Sequence, residues 1–202
     1  MKERFIELYR QNIARPGADK LLAWLESTDF FEAPASTRFH LARPGGLVEH
    51  SVHVCERLMR LYIAEKTMPG DAMQYYPLAE EMETITICAL LHDICKANFY
   101  GVEMRNRKNE QDQWEKYPFY VVNDQLPYGH GEKSVYIISS FMKLTREEAF
   151  AIRWHMGGFD ESVKGGSYAM GGAFEKFPLA LLTHIADLQA TYLDEVEREE
   201  AK

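Results

Sequence analysis

Of all the stretches in this chain, Ala89-Leu-Leu-His-Asp-Ile-Cys-Lys96 most restricts the fold. An apolar run suited to the middle of a buried helix stops on His92 and Asp93, with Lys96 three residues beyond the aspartate. A carboxylate carried into the interior without a partner is costly, so something must answer Asp93. Imidazole nitrogen and carboxylate oxygen together suit a divalent metal such as Mn, Fe, Co, Ni or Zn. On this reading the apolar helix holds the ligands rigidly, and the cation offsets the desolvation of the aspartate. The plainer alternative is a helix C-terminus, where histidine is mildly favoured and aspartate is not.

The remaining sequence reads as helix after helix, an all-α bundle with one irregular insert. Met1 to Asn12 is amphipathic, Arg15-Pro16-Gly17 breaks it, and a second helix runs from Ala18 to Glu26. Ser27 to Gly46 is loop chemistry, rich in prolines and small residues. Leu47 to Glu65 places Leu47, Val54, Leu58, Leu61 and Tyr62 at helical spacing. After Pro69-Gly70 and Pro77 comes the helix Leu78 to Leu91, acidic early and apolar late. Residues 98–128 carry two β-forming stretches, Val102 to Arg107 and Tyr117 to Asn123, around a polar centre, and read as a hairpin lid. Helices follow from Glu132 to Met142 and from Thr145 to His155, the second opened by a capping box at Thr145 and Glu148. Gly157 to Gly172 holds six of the thirteen glycines, so residues 157–175 are expected to form a mobile loop. Phe177 to Glu197 is the last helix. The 202 residues are expected to form one domain, with residues 1–36 as an N-terminal helical extension.

Composition narrows the function classes. A net charge of −8 disfavours an extended duplex nucleic-acid footprint but leaves room for a small anionic ligand held by a local cluster. No apolar stretch approaches the roughly 20 residues of a membrane span. Cys55, Cys88 and Cys95 are odd in number and form no CxxC pair, so free thiols in a reducing cytoplasm are expected.

The seven histidines are His40, His50, His53, His92, His130, His155 and His184. Several stand beside apolar or glycine-rich sequence, in GGLVEHSVHV, ALLHDICK, PYGHGEKS, RWHMGG and LLTHIADLQA. A single buried histidine is usually just hydrogen-bonded, so each alone says little. His53 shares a helical face with His50 but has no carboxylate near it in sequence, which favours a core or surface role. His184 is expected to pack behind the site, one turn before Asp187, and His40 to lie at its rim or in solvent. Asp187 has its own bland alternative, a pair with Arg153 or a lysine.

Taken in order, His50, His92-Asp93, His130, His155 and Asp187 resemble the H…HD…H…H…D pattern of the HD-domain metal-dependent phosphohydrolase superfamily. GGLVEHS and LLHDICK are similar to its first two motifs, and also to those in the HD domain of some bacterial 3′–5′ exoribonucleases. Cys95 stands where that family often has glycine. The resemblance covers about Thr37 to Ala190 and implies a helical bundle with the site at its centre. It implies His50, His92, Asp93 and Asp187 on one divalent metal, and Asp93, His130 and His155 on a second. The implied activity is hydrolysis of a small phosphorylated substrate, a nucleotide or short oligonucleotide, with Asp93 and Lys96 as catalytic residues. Arg43, Lys96, Arg105, Arg107 and Trp114 are the expected substrate contacts, with Lys108, Tyr117 and Tyr120 as further hairpin candidates. The same ligand pattern also occurs in di-iron oxygenases, and a nucleotide sensor that kept its metal is a third reading.

Overall fold

The computed structural model describes residues 1–68 and 75–196. The expected Pro69-Gly70 break and the end of the last helix at Glu197 lie outside the described residues.

The helix that ends on His92 is the centre of the molecule. In α4 (Ala79–Leu91), Ile85, Ile87, Cys88, Ala89, Leu90 and Leu91 are all fully buried. A helix apolar on every side must be surrounded, and α1 (Lys2–Asn12), α3 (Gly46–Lys66) and α6 (Arg146–Trp154) pack around it. The helix α9 (Pro178–Gln189) lies across α3 and α6, and α5 (His130–Ser139) lies on α6 and on the short 3-10 turn Ile94–Lys96. The amphipathic α1 buries Phe5 and Tyr9, and α2 (Ala18–Ser27) buries Leu21, Leu22 and Leu25 in the same core.

Between α1 and α2, Arg15 ties the N-terminal helices to the bundle. Its guanidinium meets the fully buried Glu148 carboxylate with two nitrogens, at 2.7 and 2.8 Å, and Glu83 at 3.1 Å. Thr84 donates to Glu148 at 3.0 Å, and Glu148 also accepts from Thr145 N, completing the expected capping box.

The insert is an antiparallel hairpin of β1 (Tyr100–Lys108) and β2 (Trp114–Val122), in register from Tyr100 opposite Val122 to Lys108 opposite Trp114. The strands run further than the β-forming stretches because the turn is well built. Asn109 Oδ1 accepts from the backbone of both Gln111 and Gln113, and Asp112 takes a left-handed φ of 59°.

Two segments depart from expectation. The glycine-rich stretch is not a plain loop: it forms a 3-10 turn at Gly157–Phe159, α7 (Glu161–Lys164) and α8 (Ala169–Lys176). Asp160 starts α7 by accepting from Ser162 N at 2.9 Å and is anchored by Arg153 at 2.7 Å. In α8, burial of Ala173 and the packing of Phe174 on the core outweigh two helix-weakening glycines. The last helix is also not regular to its end, because Ala190–Asp194 winds as a π turn. Among the described residues, no helix is long and apolar enough to cross a membrane.

Candidate metal centre

His92 and His155 are built alike. Each follows the last residue of a helix, the apolar α4 or the amphipathic α6, and each turns its Nδ1 back to the carbonyl three residues earlier. The acceptors are Ala89 and Ile152, both at 2.7 Å. Carbonyls at a helix C-terminus lack intrahelical partners, so an imidazole N–H there is favoured. Donating from Nδ1 leaves Nε2 as a bare lone pair. The two rings meet edge to face, with centroids 4.8 Å apart. His155 Nε2 is buried without a hydrogen-bond partner among the described residues. Burial holds His92 neutral by lowering its pKa to about 3, and the nearby Asp93 and Asp187 only partly oppose this.

His50 comes to the same point from α3. Its Nε2 lies 3.2 Å from His92 Nε2 and 3.2 Å from Asp187 Oδ1, the latter carried by α9. Its Nδ1 faces the carboxylate of Glu195, at 3.0 and 3.1 Å. Burial alone would lower the pKa of His50, but Asp187 and Glu195 outweigh it and push it up to about 10. The arrangement thus favours a positive charge between His50 and its neighbours.

Asp93 sits immediately after His92 and is almost fully buried. Its Oδ1 lies 2.7 Å from His130 Nε2 and 3.4 Å from His155 Nε2, and its Oδ2 lies 2.5 Å from Lys96 Nζ. Burial would raise its pKa, yet Lys96 and the surrounding imidazoles hold it well below the ordinary carboxylate value. Lys96 also donates to Ala35 O at 2.8 Å, so it is not a solvated lysine at a helix end. His130 is the first residue of α5, which starts two residues before the expected Glu132. Its neighbour Gly131 lets α5 approach α6, since a Cβ there would stand 2.2 Å from Arg153 O. Cys95, a buried free thiol, has its Sγ 3.5 Å from His130 Nδ1.

A divalent ion fits this donor set. The ligand atoms of His50, His92 and Asp93 lie within 4.8 Å of one another, as do those of Asp93, His130 and His155, and of His92, His155 and Asp187. Bare lone pairs facing each other across a buried centre repel unless a cation or proton lies between them. The family model of the HD domain matches residues 47–198. The chain belongs to the HD-domain family. That assigns it to a superfamily of metal-dependent hydrolases and agrees with the helical bundle and its central ligand cluster. No curated protein and no solved structure matches the chain.

A cavity of about 980 Å³ opens over the centre of this HD domain. His50, Asp93, Lys96, His184 and Asp187 line it, as do His40 and Arg43 from the loop before α3. Arg43 is paired with Glu49 at 2.7 Å. His40 is at the site's rim, its Nε2 buried and without a hydrogen-bond partner among the described residues. His184 supports the cluster from behind, its Nδ1 2.6 Å from His155 O, and Arg153 pairs with Glu132 and Asp160 rather than Asp187. Arg105, Arg107 and Trp114 stand on the hairpin and are not among the cavity's lining residues. There Arg105 lies 3.7 Å from the Phe119 ring centroid, Arg107 4.9 Å from Tyr117, and Lys108 5.9 Å from the exposed Trp114. Two residues near the cluster were not expected. Glu195 enters from beyond the π turn, and His53 Nδ1 meets the same carboxylate at 3.0 Å.

Proposed function

We propose that this HD domain hydrolyses the phosphoester of a nucleotide or short oligonucleotide, using two divalent transition metals joined by Asp93. The observation that carries the reading is the position of Asp93. It shares one group of potential ligands with His50 and His92 and another with His130 and His155, directly beneath an open cavity. Bound there, the ions would supply a nucleophilic hydroxide at neutral pH and neutralise phosphoryl charge. Asp187 would complete the group around His50 and His92, which it already meets at the His50 Nε2 side.

The chain's own residues supply position and charge. Lys96 spends one N–H on Asp93 and one on Ala35 O, which leaves a third for a phosphoryl oxygen at the cavity floor. Arg43 stands nearer the mouth, steadied by Glu49. The exposed rings of Phe39, Phe159 and Tyr192 line the same cavity and offer stacking faces to a base. Arg105, Arg107 and Trp114, set apart on the hairpin, suit a contact to a longer substrate that leaves the cavity.

The test is a panel of mono-, di-, tri- and cyclic nucleotides and short RNA, assayed with Mn, Co, Ni, Fe, Mg and Zn in turn. Activity is expected to vanish with EDTA and to return with a transition metal. Full-rate hydrolysis by chelated protein would overturn the proposal. Oxygen uptake without phosphate release would point to the di-iron oxygenase chemistry that shares this ligand pattern. Nucleotide returned unchanged after long incubation with every metal would point to a sensor.

A further inference from the structure

Glu195 lies eight residues beyond Asp187, the last member of the HD-domain ligand pattern, and its side chain is fully buried against the cluster. It faces Nδ1 of His50 with both oxygens and Nδ1 of His53 with one, and His40 Nε2 stands 3.9 Å away. Reaching that point takes a local distortion. A regular continuation of α9 is interrupted by the π turn Ala190–Asp194, and such turns often mark functional sites. The turn is clamped to α3 by Asp194, whose Oδ2 accepts from Arg57 Nε at 2.8 Å. His50, His53 and Arg57 share one helix, so three side chains of α3 grip two consecutive acidic residues.

We infer that Glu195 is a positioning residue: by accepting the Nδ1–H of His50 it fixes that ring's tautomer and aims the Nε2 lone pair into the metal centre. A carboxylate behind a ligating imidazole raises its basicity and holds its orientation, and losing such a partner typically costs 10–100-fold in metal affinity. His92 and His155 use a backbone carbonyl of the helix they follow for this purpose. His50 sits inside α3, far from its C-terminus, where the backbone carbonyls are already engaged, so its acceptor has to come from elsewhere in the chain. Glu195 is that acceptor.

The inference rests on the reading of His50 as a metal ligand and not on the reaction catalysed. Mn(II) is titrated calorimetrically into chelator-stripped wild type, Glu195→Ala, Glu195→Gln and His53→Ala. Glu195→Ala is expected to bind Mn(II) about 10–100-fold more weakly. Glu195→Gln keeps an amide oxygen for the Nδ1–H and should recover part of the loss. His53→Ala leaves the His50–Glu195 contact in place and should stay within a few-fold of wild type. Wild-type affinity in both Glu195 variants would overturn the inference, and so would a loss in His53→Ala as large as in Glu195→Ala. Should Glu195→Ala not fold, wild-type affinity in Glu195→Gln, or a loss in His53→Ala as large as that in Glu195→Gln, would overturn the inference. A wild type that takes up no divalent ion would remove the metal reading itself, a different outcome from normal uptake by every variant.

Discussion

Two groups of buried charges lie in this bundle, and they are finished in opposite ways. Around Arg15 the interior is closed: Glu148 is met by two guanidinium nitrogens, a threonine hydroxyl and a backbone N–H, and Glu83 caps the other side. Around Asp93 it is left open: His155 Nε2 has no hydrogen-bond partner among the described residues, and His50 and His92 point Nε2 at each other. The first arrangement satisfies its charges from within the chain and joins the N-terminal helices to α4 and α6. The second pairs its carboxylates with Lys96, His130 and His50 but keeps imidazole nitrogens turned to a common centre beneath a cavity. Closure of a polar group serves the fold, and incompleteness aimed at a cavity serves chemistry.

Replacing Asp93 by alanine should break the open cluster most severely. Phosphoester hydrolysis is expected to fall on the order of 10³-fold or more, at least about 4 kcal/mol of activation free energy. Circular dichroism should still show a folded helical protein. A variant that kept wild-type kcat would show that Asp93 is not the centre of the site. The closed cluster should respond in the opposite sense. Arg15→Met leaves the fully buried Glu148 carboxylate without its cation, and breaking a buried pair in this way costs roughly 3 kcal/mol or more. Urea denaturation should show that loss, while activity per folded molecule stays at the wild-type level. Equal loss of kcat in Arg15→Met would blur the division between the two clusters.

The smallest effect concerns a third acidic group, nearer the surface. Hydrogen bonds from Tyr62 and Tyr75, with a further one from Leu78 N, lower the pKa of Glu81 from 4.5 to about 2. A lowered carboxylate pKa adds stability that is fully present above pH 4.5 and is lost as pH falls towards 2. The stability difference between wild type and Glu81→Gln should therefore be constant from pH 5 to 7 and shrink on acidification. Thermal melts over that range measure it, and a gap that widened in acid would contradict the hydrogen-bond assignment.

The order of helices and the location of the cluster were legible because their signals are local. An apolar helix that stops on His92-Asp93, a turn that delivers His130, and a helix that stops on His155 each announce themselves within a few residues. Glu195 was not legible for the converse reason. It sits in an acidic run that reads as a solvated helix end, and the π turn that carries it inward has no signature in side-chain periodicity. Its contact with His50 spans 145 positions. The one available hint was His53, which shares a helical face with His50 and so marked where a carboxylate could reach both rings. The glycine-rich stretch misled differently. Glycine content suggested a loop, while Asp160 and Phe174, two residues of ordinary appearance, supplied the cap and the anchor that make helices there.

Gly131 carries a last consequence. The gap between α5 and α6 is set by a missing methyl group, because any side chain at that position would collide with the backbone of Arg153. His130 and His155 ride on those two helices, so the width of the space they enclose is dictated by bare backbone in contact, one residue along from the chemistry. The spacing of two of the candidate ligands thus depends on a residue with no side chain of its own.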